Sequence, residues 1–368
     1  MFLNNLKKVS NIRLFNRLNN LKRNIQTLVI NGYKETIIER EDYPLNKCKD
    51  ILHNKPIGII GYGPQGRGQS LNLRDNGFDI NIGLRKGQSY DLALKDGWIE
   101  NNNLFSIEEV CDKSNIIQYL LSDVGQIECW KDVHPYLLEN KTLYFSHGFG
   151  ITFPQKTNIN PPKNVDVILV APKGAGMTVR NKFIEGNGIN FSYAVYQDFT
   201  GRAKDTALAL GFAIGGGHGF ETTFEKETYS DLLGERCVLM GLIQGAFKAQ
   251  YDILRKYGHS PIEAYNETVE EALVSLYPLI NDRGMDWLYS NCSTTAQRGA
   301  LDWAKVFERE LKPSIDKCYR DVVVGVEAEK AIKTNSDPNY RNKLNQELED
   351  INNQEIWQTA KIMRKYRV

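Results

Sequence analysis

The chain of 368 residues is long enough for two domains, and its 41% hydrophobic and 25% charged residues are ordinary for a globular protein. A formal net charge of +1 excludes nucleic acid as the main partner, and no apolar run reaches the roughly eighteen residues of a membrane span. The six cysteines lie far apart, with no C-x-x-C pair and no histidine at ligand spacing, which excludes a disulfide framework or a zinc site.

Residues 1–34 contain seven basic residues and no acidic residue, with apolar residues interleaved. Such a segment can form a basic amphipathic helix and is typical of an organelle transit peptide, although asparagine is commoner here than serine. We therefore predict a transit peptide over 1–27. A disordered basic tail is the competing interpretation.

After residue 55, short apolar runs alternate with amphipathic stretches, which is typical of an α/β fold with a doubly wound, Rossmann-type sheet. We assign this domain to 28–222. A first strand is predicted at 56–60, a helix at 65–76 and a second strand at 78–84. Further strands are predicted at 115–121, 142–146, 165–170 and 191–196, and a closing helix and strand at 203–213 and 218–223.

From about residue 223 the strand-like runs disappear and long helical periods follow, so we predict an all-α C-terminal domain over 223–368. Ser260-Pro261-Ile262-Glu263 combines capping-box spacing with proline at the first helical position, which marks a helix start. The predicted helices are 229–256, 260–280, 301–331 and 339–366.

The first predicted strand leads into a glycine-rich loop and then a helix, which is the setting of the dinucleotide-binding fingerprint. The loop is Gly61-Tyr62-Gly63-Pro64-Gln65-Gly66. Gly61 permits the tight turn, Gly63 lets the backbone approach a pyrophosphate, and Gly66 allows close packing of helix on strand. The motif alone is weak evidence, but its strand and helix make it specific for a dinucleotide.

The end of the second strand indicates which dinucleotide binds. An NAD site has an acidic residue there for the ribose hydroxyls, whereas this chain has Arg85 and, four residues on, Ser89. A guanidinium and a hydroxyl suit a 2′-phosphate, so NADPH is predicted over NADH. The competing interpretation is that Arg85 is an ordinary surface residue at a strand end.

Two polar residues follow other strands at the edge where parallel sheets bind ligands. His147 comes at the end of strand 142–146, and Lys173 after strand 165–170. A lone histidine is more often structural than catalytic, so position alone leaves the role of His147 open. Lys173 could balance negative charge near the site.

Two pairs of acids stand at i, i+4 spacing in the helical part: Asp231 with Glu235, and Glu267 with Glu271. On an α-helix each pair shares a face. Grouped carboxylates need a neutralising partner, and hard oxygen ligands suit Mg²⁺, so a metal site is predicted. For either pair alone, a solvated helix face is the simpler interpretation.

The order of these motifs closely resembles that of the ketol-acid reductoisomerase family, also called acetohydroxy acid isomeroreductase, with the fungal mitochondrial branch nearest. The resemblance covers most of residues 50–330. The matching stretches are GYGPQGRGQSLNLRDNG (61–77), LLSDVGQ (120–126), LYFSHGF (143–149), VILVAPKGAGMTVR (167–180), SDLLGER (230–236), NETVEEALVSLYPLI (266–280) and CSTTAQRGALDW (292–303).

The resemblance implies a role for individual residues. Asp231, Glu235, Glu267 and Glu271 would hold two Mg²⁺ ions, Ser293 would contact substrate, and His147 and Lys173 would be the active-site histidine and lysine. It also implies a knotted helical domain, a homo-oligomer of two or more subunits and a mitochondrial matrix location, with the plastid as alternative. The cofactor contacts would be Tyr62, Gly63, Pro64, Gln65, Arg85, Ser89, Asp123, Val124, Gly125, Gln126 and Gly176.

The implied substrate is a 2-hydroxy-2-alkyl-3-oxo acid, either acetolactate or 2-aceto-2-hydroxybutyrate. Its alkyl group would migrate and the new ketone would be reduced by NADPH, on the route to valine and isoleucine. Whether Glu271 or a bound hydroxide is the immediate base stays open.

Two other classes of function remain for comparison. A 3-hydroxyacid dehydrogenase or imine reductase shares a cofactor domain with a helical partner but needs no metal cluster. An inactive NADPH-binding regulator would keep the fold alone, although every position for chemistry holds a competent residue.

Overall fold

The computed structural model describes residues 26–367. The predicted transit peptide at 1–27 lies outside this range, except for its last two residues, which begin the first strand. The chain divides into two compact units between Thr228 and Tyr229. The boundary predicted at 222/223 falls a few residues earlier, just before a helix.

The first unit contains one sheet of ten strands. These are β1 (Gln26–Ile30), β2 (Tyr33–Glu39), β3 (Ile57–Ile60), β4 (Ile80–Gly83), β5 (Leu104–Phe105), β6 (Ile116–Tyr119), β7 (Thr142–Phe145), β8 (Asp166–Pro172), β9 (Phe191–Gln197) and β10 (His218–Glu221). Their spatial order is β1-β2-β10-β9-β8-β7-β6-β3-β4-β5.

Neighbouring strands from β5 to β8 are parallel, as a doubly wound sheet requires. The pattern changes at β9, which runs antiparallel to β8 and parallel to β10. The hairpin of β1 and β2 adds an antiparallel edge beside β10. The predicted α/β fold is therefore confirmed, with a mixed sheet.

Nine helices of the first unit lie between these strands. They are α1 (Leu45–Ile51), α2 (Pro64–Asp75), α3 (Gln88–Lys95), α4 (Ile107–Lys113), α5 (Asp123–Val133), α6 (Phe149–Thr152), α7 (Pro154–Thr157), α8 (Gly176–Ile184) and α9 (Ala203–Ala213). Alternate residues of the central strands pack into two separate clusters: Ile59 and Tyr144 belong to one, and Ile60 and Phe145 to the other. Both faces of the sheet are thus buried, which explains the continuous apolar runs of its strands.

The strand order reverses at β3, which has β4 on one side and β6 on the other. In open α/β sheets such a switch point leaves a crevice at the carboxyl ends of the strands, where ligands bind. The loops that follow β3 and β6 open into it.

The hairpin β1-β2 was missed at the sequence level, although its signal is present. Asn31 and Gly32 form its turn with φ angles of 49° and 86°. Asn-Gly is the preferred pair for a two-residue hairpin turn with positive φ at both positions.

Helix α10 (Phe224–Arg236) spans the boundary between the two units. Within its described residues, the regular elements of the second unit are all helices. The helices that follow are α11 (Gly241–Lys256), α12 (Pro261–Tyr265), α13 (Tyr277–Arg283), α14 (Met285–Ser290), α15 (Thr294–Val323), α16 (Val326–Asn335), α17 (Tyr340–Asn352) and α18 (Glu355–Met363). Helices α11, α12 and α18 share a core that contains Phe247, Tyr251, Tyr265 and Ile356.

Three predicted helices are wrong in their continuity. The helix expected at 229–256 ends at Arg236 and restarts at Gly241, where a Cβ atom would lie 2.3 Å from the Arg236 carbonyl oxygen. The helix expected at 301–331 begins earlier, at Thr294, and breaks at Gly325, whose φ is 78°. The helix expected at 339–366 breaks after Asn352.

The helix predicted at 260–280 is present, but its middle is π-helical at Asn266–Glu270 and Ala272–Leu276. Glu267 lies in the first π segment, and Glu271 joins the two. π-Helical turns are rare and occur frequently at functional sites. The knot implied for this unit stays a prediction.

Across the part of the chain that is described, we find no helix both long and apolar enough to cross a membrane.

Candidate active site

The glycine-rich loop follows β3 and leads into α2, as predicted. Gly61 has a φ of 100°, and a Cβ atom there would lie 2.5 Å from the Leu120 carbonyl oxygen. A Cβ atom at Gly66 would lie 2.2 Å from the carbonyl oxygen of Gly61. Both positions therefore exclude a side chain for reasons inside the fold.

Gly63 is different, because neither its backbone nor its neighbours require glycine. Its φ is −71°, and a Cβ atom would meet nothing within 4 Å. The space that glycine leaves lies at the N-terminus of α2, where backbone N–H groups attract a phosphate. A bound dinucleotide explains the glycine there, and the loop fits that cofactor.

The side chain of Tyr62 points into the protein. Its hydroxyl donates to Asp96 at 2.9 Å and accepts from the Trp98 indole at 2.7 Å. Burial, with the hydrogen bond to Asp96, raises the pKa of Tyr62 well above its usual value. The predicted cofactor contact of Tyr62 would therefore have to be made by its backbone.

Gly176 begins α8 and packs directly on the glycine-rich loop. A Cβ atom there would lie 1.9 Å from the Pro64 carbonyl oxygen. Gln65 ties the same two segments, because its amide donates to the Gly174 carbonyl oxygen at 2.9 Å. Gly176 and Gln65, both predicted cofactor contacts, therefore also fix the loop to the segment that follows β8.

The second wall of the crevice is the loop between β6 and α5. Ser122 caps α5 by accepting from the Gly125 N–H, and Asp123 and Val124 form the first turn. The buried amide of Gln126 donates to the Leu121 carbonyl oxygen at 3.1 Å. These residues shape the loop from within.

Arg85 lies just past β4 and is exposed, with its guanidinium 3.4 Å from the Asp132 carboxylate. Arg85 and Lys86 line a pocket of about 360 Å³ at the carboxyl end of β4. Ser89 lies in the first turn of α3 and is also exposed. Both cations have carboxylate partners, because Lys86 pairs with Glu100, and the pocket is also lined by Glu100, Glu108 and Glu109.

His147 and Lys173 meet at a buried carboxylate that the sequence analysis missed. Glu227, only 2% exposed, lies 3.3 Å from His147 Nδ1 and 3.1 Å from Lys173 Nζ. The Gly148 N–H also donates to it, at 3.1 Å. His147, after β7, and Lys173, after β8, therefore contact the same carboxylate.

The charge state of Glu227 follows from these contacts. Burial alone would raise its pKa, but the hydrogen bond and charge of His147, with the charge of Lys173, hold the pKa below its usual range. Glu227 is therefore an ionised buried carboxylate. A signal existed in the sequence, since Glu227 precedes Asp231 by one turn, as Asp231 precedes Glu235.

The four predicted metal ligands differ in their exposure to solvent. Asp231 is half-buried on α10, whereas Glu235, Glu267 and Glu271 are exposed. No cluster of three or more potential ligands within residues 26–367 contains any of these three exposed acids. The four carboxylates remain a hard-oxygen donor set that suits Mg²⁺, but their joint site stays a proposal.

Ser293, the predicted substrate contact, is the N-cap of α15. Its hydroxyl oxygen accepts from the Ala296 N–H at 3.2 Å, so the hydroxyl hydrogen can still be donated to a ligand. The side chain is exposed.

A Rossmann-type unit in which a histidine and a lysine meet a buried carboxylate, followed by a helical unit, is typical of a nicotinamide-dependent oxidoreductase. Residues 51–219 match the acetohydroxy acid isomeroreductase, NADPH-binding domain, and residues 224–368 match the ketol-acid reductoisomerase, C-terminal domain. The chain belongs to the ketol-acid reductoisomerase family. It is an enzyme of branched-chain amino acid biosynthesis, and the resemblance drawn from its motifs is confirmed.

Two relatives are each 52% identical to the chain. The mitochondrial ketol-acid reductoisomerase of Neurospora crassa aligns over 94% of this chain and 86% of its own length. The NAD(+)-type ketol-acid reductoisomerase of Desulfosudis oleivorans aligns over 93% of this chain and 97% of its own. The name of the Desulfosudis oleivorans relative states NAD(+), so similarity at this level does not by itself fix the nicotinamide cofactor.

Among solved structures, an NADH-preferring ketol-acid reductoisomerase from an uncultured archaeon superimposes with a TM-score of 0.79 at 31% identity. It covers 90% of this chain and 99% of its own. Because both domains match one family, the hydroxyacid dehydrogenase and imine reductase interpretations are set aside.

Proposed function

We propose that this chain catalyses the Mg²⁺- and NADPH-dependent conversion of 2-acetolactate and 2-aceto-2-hydroxybutyrate to 2,3-dihydroxy-3-alkyl acids. Membership of the family supports the reaction. The observation that carries the proposal for these residues is the cluster of His147, Lys173 and Glu227. It lies at the edge of the sheet where the cofactor loop also opens.

The two domains have different proposed roles in this reaction. We assign residues 28–222 to NADPH binding and residues 223–368 to the metal and substrate domain. The fit of the glycine-rich loop to a dinucleotide supports the first assignment. The carboxylates of the helical domain support the second.

NADPH rather than NADH is supported by the charge at the end of β4. Arg85 and Lys86 are both there, and the two residues that follow β4 directly, Leu84 and Arg85, include no acid for ribose hydroxyls. Arg85 would turn from Asp132 to the 2′-phosphate, with Ser89 as a second donor. The pocket that Arg85 lines offers room beside it.

Asp231, Glu235, Glu267 and Glu271 would hold the metal ions, and Ser293 would orient the substrate. When bound, two Mg²⁺ ions would act as Lewis acids toward the hydroxyl and ketone oxygens, and NADPH would supply the hydride. The π-helical backbone around Glu267 and Glu271 supports a functional role for this segment.

The reaction removes a proton from the 2-hydroxyl, moves the alkyl group from C2 to C3, and reduces the ketone left at C2. Protons must then reach both product oxygens. Glu227 lies 3.3 Å from Nδ1 of His147, so Nε2 would be the ring nitrogen that exchanges a proton with the substrate. Lys173 keeps Glu227 ionised, so the cluster can store and return a proton near the substrate.

We also propose that the chain self-associates through its helical unit. Large apolar side chains there are 58 to 68% exposed, including Val238, Leu239, Met240, Trp303 and Phe307. Such exposure is characteristic of an interaction surface. A second copy would also bring further carboxylates to the exposed Glu267 and Glu271, which lack a cluster within the described part of one chain.

The mitochondrial matrix is the proposed location, with the plastid as the alternative. The acid-free segment 1–34 supports import into an organelle. The Neurospora crassa relative is named as mitochondrial. Fusion of residues 1–27 to a fluorescent protein tests this, and cytosolic fluorescence would contradict it.

NADPH oxidation with 2-acetolactate, followed at 340 nm with and without Mg²⁺, tests the proposed function. We expect turnover that requires Mg²⁺, a 2,3-dihydroxy product, and slower turnover with NADH. Turnover that persists after metal removal would contradict the metal assignment. NADPH binding without any turnover would instead support the inactive regulator.

A further inference from the structure

A closed ring of three hydrogen bonds is buried beneath the proposed active site. Gln69 Nε2 donates to Ser146 Oγ at 2.8 Å, Ser146 Oγ donates to the Tyr144 hydroxyl at 3.3 Å, and that hydroxyl donates to Gln69 Oε1 at 2.8 Å. Gln69 and Tyr144 are both fully buried. The Tyr144 hydroxyl also lies 3.2 Å from the Val170 carbonyl oxygen, a second acceptor for its proton, and the three groups of the ring orient one another.

The same glutamine extends the ring toward the cofactor loop. The second N–H of Gln69 donates to Gln65 Oε1 at 3.1 Å, and Gln65 Nε2 donates to the Gly174 carbonyl oxygen at 2.9 Å. Both N–H groups and the oxygen of Gln69 are therefore satisfied. Gln65 Oε1 can only accept, because Gln65 Nε2 is already bonded to Gly174, so the contact with Gln65 fixes the orientation of the Gln69 amide.

The positions that this network joins are those of the proposed chemistry. Gln65 lies in the glycine-rich loop, Ser146 immediately precedes His147, and Gly174 immediately follows Lys173. Helix α2, the end of β7 and the segment after β8 thus meet at one side chain. We infer that Gln69 is a positioning residue that holds the cofactor loop in register with His147 and Lys173.

This inference rests on the proposed roles of His147 and Lys173. Gln69 would not touch substrate or cofactor. Hydride transfer requires the reacting atoms at about 3 to 3.5 Å with aligned geometry, and a misplacement of about 1 Å can cost 100-fold in rate. Loss of the ring would let the strand end bearing His147 move relative to the loop.

Another buried amide on α2 provides a structural comparison. Asn72 donates to the Ile214 carbonyl oxygen at 2.8 Å and accepts from Arg180 at 2.9 Å. Its partners lie away from the ends of β7 and β8. A buried amide in α2 can therefore have a purely structural role. Gln69 differs from Asn72 in the segments that its hydrogen bonds connect.

The test uses Gln69→Met, which keeps the length of the side chain, and Tyr144→Phe, which removes one hydroxyl. The control is Tyr193→Phe, another fully buried tyrosine of the same sheet, whose hydroxyl donates to Glu221 at 3.1 Å. For the full-length enzyme, kcat, the KM for NADPH, the deuterium isotope effect with 4-deuterated NADPH, and the thermal midpoint are measured.

We expect both ring variants to lower kcat by about 10- to 100-fold and to increase the isotope effect, because hydride transfer becomes rate-limiting. The KM for NADPH should change less than about threefold, and the control should keep its kcat. If Gln69→Met fails to fold, Tyr144→Phe decides alone. Unchanged kcat and isotope effect, or a change confined to KM, would overturn the inference. Absence of turnover in the unmodified enzyme would instead reject the proposed function.

Discussion

The carboxylate of Glu227 lies 3.3 Å from Nδ1 of His147, and the carboxylate is almost completely buried. A buried acid in this position fixes the histidine ring and its tautomer. Glu227→Gln keeps the shape but removes the charge that His147 and Lys173 share. We expect kcat to fall by roughly 10²- to 10⁴-fold, as for loss of acid–base catalysis.

Steady-state kinetics with Glu227→Gln, beside the exposed acid variant Glu225→Gln on the same helix, checks this expectation. Equal activity of the two variants would show that Glu227 is dispensable.

The same carboxylate makes stability depend on pH. Because its contacts hold the pKa of Glu227 below the ordinary 4.5, its ionised form stabilises the fold fully above that pH. This contribution disappears as pH falls through the folded pKa. The difference in thermal midpoint between the unmodified chain and Glu227→Gln should therefore shrink as the pH falls below about 4.5. A difference that grows at low pH would contradict this sign.

Arg85 should distinguish the two nicotinamide cofactors. Arg85→Ala removes a charged donor to the 2′-phosphate, so the Kd for NADPH should rise about 10- to 100-fold while that for NADH stays nearly constant. Asp132→Asn is the matched control, because it releases Arg85 from its present partner. Fluorescence titration of the unmodified enzyme and the two variants gives the Kd for each cofactor, and an equal loss for both cofactors would refute the phosphate assignment.

Asp231 should be essential for metal binding. Asp231→Asn removes one negative ligand and should lower Mg²⁺ affinity by more than the roughly 10- to 100-fold typical of losing an outer-shell partner. Both isomerisation and reduction should then be lost. Calorimetric titration with Mg²⁺, beside Glu225→Gln, measures the effect. Retained isomerisation at ordinary Mg²⁺ concentrations would locate the metal elsewhere.

A side chain at position 176 should destabilise the protein, because Gly176 packs directly against Pro64. Gly176→Ala forces a Cβ atom against the Pro64 carbonyl oxygen and should cost about 1 to 3 kcal/mol of unfolding free energy. Displacement of α8 should also weaken NADPH binding. Chemical denaturation compares this variant with Thr178→Ala, an exposed position of the same helix. Equal stability of the two variants would disprove the tight contact.

Trp303 and Phe307 should contribute to self-association. Their rings lie 5.9 Å apart and are 60% and 58% exposed on α15. Replacing either with serine should raise the dissociation constant at least tenfold, since burying one large apolar side chain contributes about 1.5 to 3 kcal/mol. Sedimentation velocity checks this beside Lys305→Ser. A monomer in the unmodified protein would reject the interface.

Local features of the nucleotide-binding unit could be predicted because short-range sequence determines them. The strand before Gly61 and the helix after it follow from apolar runs and glycine positions. His147 was placed at a strand end by the same reasoning. The direction of the Tyr62 side chain could not be predicted, because Asp96 and Trp98 are distant in sequence.

Glu227 illustrates the other limit. Its spacing from Asp231 was visible, yet its contact with His147 and Lys173 depends on how α10 packs against the ends of β7 and β8. The break at 237–240 was missed for a similar reason, since the residues there continue the helical pattern. At Gly241 the chain lies close to the Arg236 carbonyl oxygen, a contact that the helical pattern does not show.

Helix α10 carries Glu227 and Asp231 one turn apart, about 6 Å along its axis at the usual rise per residue. A short helix moves as a rigid rod, so any rotation or slide that shifts one carboxylate shifts the other. The proton handling proposed for His147 and the metal binding proposed for Asp231 therefore depend on one helix. A substitution that tilts α10 should therefore change two quantities together: the apparent pKa in the pH profile of kcat, and the Mg²⁺ concentration that turnover requires.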